Sequence, residues 1–231
     1  MKVTVWNESR ENSVYPGGMN ECIKSFLLRE GIEEVRCATL EEEENGLPDS
    51  LLADTDVLIW WGHCHHDRVS EETVNRVIKH VNCGMGIIFL HSAHNSKPFK
   101  RLMGTSCTLK WREAAERERL WVASPSHPIA KGIPECVVIE NEEMYGEYFD
   151  IPQPDEVVFI GWFKGGEVFR SGCTFKRGHG KVFYFQPGHE TYPVYNNEYI
   201  QKIITNAVRW ANPDIRVKGL SCPNVTAQEN L

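Results

Sequence analysis

Short, largely apolar runs recur along this chain at Val3–Trp6, Val57–Trp61, Ile87–Leu90 and Val182–Phe185. Runs of that length with little polar alternation read as strands covered on both faces, as in parallel sheets. Between them the period changes. Met19, Ile23, Phe26 and Leu27 fall at i, i+4, i+7 and i+8, one face of a helix that follows Pro16-Gly17-Gly18 and stops at Gly31. Val35–Ala38 reads as a weaker second strand. Ser70 is an N-cap, Glu71 and Glu72 suit the positive helix end, and Val74, Val77, Ile78 and Val81 trace the buried face up to Gly84. The order from Val3 to Leu90 is strand, helix, strand, strand, helix, strand. It predicts an α/β fold: a doubly wound, mostly parallel sheet flanked by helices.

From Lys100 to Glu135 the rhythm is lost. The segment KWREAAERERL is highly charged and predicts a small inserted β region, strands or hairpins packed beside the sheet. Strands resume at Cys136–Ile139 and Val157–Phe163, and Val168–Phe175 pairs with Val182–Phe185 through the turn-rich Lys176–Gly180. Asn196 or Asn197 caps a last helix whose stripe is Ile200, Ile203, Ile204, Ala207 and Val208. Residues 1–212 are expected to form one domain. Residues 213–231 are a polar tail, either partly disordered or an oligomer contact.

Composition narrows the function classes. The 231 residues carry a net charge of -7, which argues against a general nucleic-acid surface. No apolar run reaches the roughly 18 residues of a membrane span, and MKVTVWNESR turns polar too early for a signal peptide. The eight cysteines are scattered and never form Cys-x-x-Cys. Reduced thiols in a cytoplasmic protein are the expectation.

The chemistry gathers at strand ends. VLIWWGHCHHD (Val57–Asp67), GIIFLHSAH (Gly86–His94) and KVFYFQPGHE (Lys181–Glu190) each pass from an apolar run into ligand-type side chains. Open α/β sheets bind ligands just outside the carboxyl ends of their strands. If the chain stays extended after Trp61, His63 and His65 point to one side, His66 faces away, and Asp67 can orient a ligand ring. The plainer reading is a polar loop with surface histidines. His91 and His94, three apart, share a face in a turn. Ser92 between them is a weak nucleophile candidate, because the elbow glycines are missing. Cys64 is the other nucleophile candidate.

His189-Glu190 follows the Pro187-Gly188 turn, where a carboxylate beside an imidazole serves as ligand, base or orienter. One acid of Glu142, Glu143 and Glu147 could reach the same pocket, and a solvated acidic loop is at least as strong a reading. His80 reads as a surface helix position, and His127 and His179 as structural turn residues. If several of His63, His65, His91, His94 and His189 converge, neutral imidazoles with a carboxylate suit a divalent metal: zinc first, then iron or manganese. Dense aromatics near these ends, including Trp61, Tyr145 and Tyr192, tilt the ligand toward sugar rings.

Several segments in order resemble the trehalose-utilisation (ThuA-like) family across roughly residues 1–212. They are His91-Ser92-Ala93, His127-Pro128-Ile129 with Gly132-Ile133-Pro134, Glu142-Glu143-Met144-Tyr145, and Gly178–Glu190. The resemblance implies a fold similar to class I glutamine amidotransferases, a six-stranded parallel-type sheet with helices on both sides. Those enzymes carry a cysteine at an elbow where this chain has His91 and Ser92, so glutamine hydrolysis is not expected. The implied role is carbohydrate utilisation, around trehalose or related disaccharides and their oxidised keto forms. Glu190, Ser92 and Glu143 are the expected catalytic groups, and a homo-oligomer that binds a small-molecule sugar is the expected assembly. A non-catalytic sugar-binding or regulatory module on the same fold is the alternative.

Overall fold

The computed structural model describes residues 1–8 and 14–229; the last two residues of the polar tail lie outside it. In chain order the elements are β1 (Lys2–Asn7), α1 (Met19–Arg29), β2 (Glu34–Thr39), α2 (Asp49–Ala53), β3 (Val57–Trp61), α3 (Glu71–Asn82) and β4 (Gly86–Leu90). Then come α4 (Lys97–Met103), β5 (Lys110–Val122), β6 (Cys136–Gly146), β7 (Glu156–Phe163), β8 (Val168–Arg177), β9 (Gly180–Phe185) and α5 (Glu198–Ala211).

Among the described residues the strands join one nine-stranded sheet, ordered β2-β1-β3-β4-β9-β8-β7-β5-β6. From β2 to β9 every pair is parallel, and from β9 to β6 every pair is antiparallel. One face of the parallel strands buries Val5, Ile59 and Ile88 against Ile23, Phe26 and Leu27 of α1 and Ile200, Ile203 and Ile204 of α5. The other buries Leu58, Trp60 and Phe89 against Val74, Val77 and Val81 of α3 and Phe99 and Leu102 of α4. Being covered twice, β3 and β4 have no exposed side to alternate toward, which is why they read as unbroken apolar runs.

Capping agrees with the sequence. Ser70 Oγ accepts from Thr73 N at 3.1 Å, and Asn197 Oδ1 accepts from Tyr199 N and Ile200 N at the head of α5.

The differences fall where the periodicity was weak. The five residues of α2 lie between β2 and β3 and bury only Leu52, too little to leave a helical signature. The charged region opens with a helix, α4, capped by Ser96 and ended by Gly104 at φ 74. Its β part is not packed beside the sheet but continues it, so nine strands stand where the resemblance implied six. The 13-residue β5 hides its strand character because most of it is exposed, held by pairs such as Arg112–Glu116, Arg112–Glu167 and Arg117–Glu140. β6 runs on to Gly146, so Glu142 and Glu143 are buried strand residues, not a solvated loop. His80 is 8% exposed and 3.0 Å from Asp49, so it is no surface residue either.

Candidate functional site

β3, β4 and β9 lie side by side, and the segments after their carboxyl ends deliver His63, His91 and His189 to one rim. One nitrogen from each ring lies within 4.8 Å of the other two. The ring centroids are 5.8 Å apart for His63–His91, 5.1 Å for His63–His189 and 5.2 Å for His91–His189. Each is placed by a different local device. His91 is the first residue after β4 and takes a left-handed φ of 54°, a conformation that costs a non-glycine residue roughly 1–3 kcal/mol. Its carbonyl accepts from Tyr184 Oη at 3.0 Å, and its ring contacts the Gln186 carbonyl at 2.9 Å. The loop bearing His63 is held by Glu8, whose carboxylate accepts from Cys64 N at 2.6 Å and His65 N at 2.9 Å. Before His189, Gly188 adopts φ 141°, and a Cβ there would overlap Tyr195 Oη, so the turn requires glycine. Glu142 fixes that turn by accepting from Gly188 N at 2.7 Å and His189 N at 3.2 Å.

Partners set the tautomers. His63 Nδ1 is 2.8 Å from Glu190 Oε2, and His91 Nδ1 is 2.9 Å from the Gln186 carbonyl oxygen. An ionised carboxylate and a carbonyl only accept, so both Nδ1 atoms donate, and in its neutral form each ring would have its Nε2 lone pair for something else. His189 is wired the other way. Its Nδ1 accepts from Thr191 N at 3.2 Å, and its Nε2 lies 3.6 Å from Glu113 Oε2.

The carboxylates differ in environment. Glu143 Oε2 is buried and sits 3.0 Å from His91 Nε2, but without the alignment of a hydrogen bond, so among the described residues it has no hydrogen-bond partner. Burial would raise the Glu143 pKa, yet contact with His91 and the other imidazoles carries it below the usual carboxylate range. For His91, burial works toward lowering and is outweighed by Glu143, Glu142 and the Gln186 carbonyl, so its pKa is raised. Burial also acts to raise Glu190, but the His63 contact brings it down to about 2. Glu142 is pushed up to about 7, mainly by burial.

A cavity of about 260 Å3 opens beside the rings, lined by His63, His66, Ser92, His94, Trp111 and Glu143 among others. Not every expected residue joins the cluster. The ring of His65 is outside the three-histidine group, and the orienter of His63 is Glu190, not Asp67. His94 lines the cavity with its Nδ1 on the Cys107 carbonyl at 2.8 Å, and burial lowers its pKa to about 3. His66, expected to face away, also lines the cavity, and burial lowers it to about 4. Ser92 Oγ is 2.7 Å from Tyr145 Oη. The Cys64 thiol is raised by burial and by the charges of Glu8, Glu190 and Glu143, the reverse of an activated thiol.

Glu8, Trp111, Glu113 and Gln186 were not singled out from sequence. Glu8 and Gln186 sit just past the ends of β1 and β9, a positional signal that could have flagged them. Trp111 and Glu113 come from the charged β5, where no signal pointed inward.

Three comparisons bear on this arrangement. The chain matches the family described as trehalose utilisation, ThuA, over residues 2–211. A ThuA-like protein from Parabacteroides merdae superposes with a TM-score of 0.70 at 14% identity, covering 94% of this chain and 92% of that one. A cytoplasmic protein from Salmonella typhimurium gives 0.69 at 12% identity, covering 93% and 100%. A GMP synthase-like protein from Thermoplasma acidophilum gives 0.50 at 12% identity, covering 90% and 94%. At these identities the likeness is one of fold. Comparison with curated proteins finds no match. Among the described residues no helix is long and apolar enough to cross a membrane.

Proposed function

The chain belongs to the trehalose-utilisation (ThuA) family, and from that premise we propose that it is an enzyme acting on a sugar or keto-sugar in the histidine-lined cleft, with a divalent metal, zinc by donor chemistry, held there. The observation that carries this is the convergence of His63, His91 and His189, with two of the rings anchored through Nδ1 on Glu190 and Gln186. That wiring is how proteins present imidazole Nε2 to a metal. The buried Glu143 oxygen, without a hydrogen-bond partner among the described residues, supports a cationic occupant. His189 fits if its ring donates from Nδ1, which requires Thr191 N to give up its 3.2 Å contact.

His63, His91 and His189 would hold the metal, and the chemistry it would supply there is Lewis-acid polarisation of a sugar carbonyl or hydroxyl. Glu143, buried beside His91 and held below the usual carboxylate range, would take a proton from a carbon or hydroxyl of the sugar and return it. Glu190 keeps the His63 ring in one orientation. Trp111, 66% exposed at the rim, offers a flat apolar face for a pyranose ring. A cavity of about 260 Å3 suits one ring inside the cleft and a second outside it.

Elemental analysis of untagged protein, combined with turnover on a panel of disaccharides and their keto forms, tests this. Stoichiometric metal is expected in the wild type. Glu190→Gln should weaken metal affinity about 10–100-fold, and Glu143→Gln should abolish turnover while metal stays bound. Sugar binding without turnover of any panel member would overturn the enzymatic reading. Absence of metal, with thermal stability unchanged by chelator, would overturn the metal.

A further inference from the structure

We propose that the outer face of the β5–β6–β7 ribbon carries a second small-molecule site, one that binds a phosphomonoester such as a sugar phosphate. A groove of about 440 Å3 lies there, lined by Arg117, Arg119, Glu140, Asn141, Trp162 and Lys164 among others. Its volume is within the range of small-ligand sites, about 300–1,000 Å3. It shares no lining residue with the histidine cleft.

Charge is the first argument. The chain as a whole carries -7, yet this groove gathers three cations against one acid. Arg117 is paired with Glu140 at 2.8 Å. Among the described residues Arg119 and Lys164 form no ion pair, so two positive charges face the groove without a counter-ion. Geometry is the second argument. Arg119 and Trp162 are register partners on β5 and β7, and the Arg119 guanidinium lies over the indole, 5.8 Å from its centroid. At that distance the indole attracts the Arg119 cation through its π face without taking up its N–H groups, so they stay available as the paired donors that match an oxyanion. The third argument is rigidity. Lys164 N donates to the Arg117 carbonyl at 2.9 Å, which sets the lysine stem beside the arginines. Arg117 and Arg119 sit on the paired strand β5, and paired strands hold their donors better than loops do; Lys164 begins the turn after β7. Trp162, 45% exposed, and the Asn141 amide are the neutral groups that a sugar's ring and hydroxyls would meet.

Titration calorimetry of the full chain with inorganic phosphate, glucose 6-phosphate and glucose tests the site. Glucose 6-phosphate should bind, inorganic phosphate should bind more weakly, and glucose should not bind at this groove. Arg119→Gln and Lys164→Gln should each weaken glucose 6-phosphate by about tenfold or more, and added salt should weaken it further. Equal affinity for the two phosphates would overturn the sugar part and leave an oxyanion site. No heat from either anion, or binding unchanged in both variants, would overturn the proposal. Binding lost in His63→Ala but kept in Arg119→Gln would place the ligand in the cleft and overturn it as well. So would a wild-type dimer dispersed by Arg119→Gln and Trp162→Ala, which would make this face an interface between copies.

Discussion

The two halves of the sheet solve the same packing problem in opposite ways. In the parallel half, β3 and β4 bury every residue, because helices cover both faces. In the antiparallel half, β5 exposes most of its first seven residues, and Trp111, Trp121 and Trp162 all reach solvent. The parallel half supplies rigid strand ends and so fixes imidazoles. The antiparallel half supplies the aromatic rim and further acids: Glu142, Glu143 and Tyr145 from β6, and Trp111 and Glu113 from β5. A cleft that needs both fixed ligands and an open side is built where the two halves meet.

The strongest way to break this contrast is in the doubly covered core. Trp60 is fully buried and stacks on Trp6 with centroids 4.0 Å apart. Trp60→Ala should cost about 3–5 kcal/mol, read as a lowered denaturant midpoint. A loss below about 1 kcal/mol would mean that the core collapses around the gap and is not close-packed.

The next test concerns the one fully buried acid of β5. Glu118 accepts from Ser171 Oγ at 3.1 Å, and its other oxygen has no hydrogen-bond partner. Burial, then the nearby Glu142 charge, raises its pKa well above the usual range. A carboxyl raised in the folded state holds its proton where the unfolded chain has lost it. Its contribution to stability is therefore full below an ordinary pKa of about 4.3 and is lost as pH rises toward the folded value. Glu118→Gln cannot titrate, so the stability of the variant relative to wild type should climb as pH goes from acidic to neutral. A constant difference across that window would show that Glu118 is not desolvated. A smaller effect separates helix capping from burial: Ser70→Ala should cost about 1 kcal/mol through the lost contact to Thr73 N, visible as a modest drop in melting temperature.

How much of this was legible in the sequence follows the same divide. β3 and its neighbour β4 stood out because covered strands leave long apolar runs, and Ser70 and Asn197 because caps have a narrow chemistry. His63, His91 and His189 could be marked because they follow such runs. What joins them could not. Gln186 acts on His91 through its backbone carbonyl, and Glu8 reaches the His63 loop across 56 and 57 residues of sequence. β5 reads as an insertion because ion pairs between neighbouring strands, such as Arg117–Glu140, do for it what burial on both faces does for β3. Helix α4 was hidden by its brevity, seven residues under a single cap.

The smallest expected effect probes the antiparallel half on its own terms. Val138 on β6 is 44% exposed and pairs with Arg119 across β5. Val and Thr are both β-branched and suit strands alike, so Val138→Thr at a solvated position should change stability by no more than about 0.5 kcal/mol. A larger loss, or a concentration-dependent one, would mean that Val138 is covered in solution by something beyond this chain. The ribbon would then be buried on both sides like the parallel half, and the contrast between the halves would be one of partners, not of sequence.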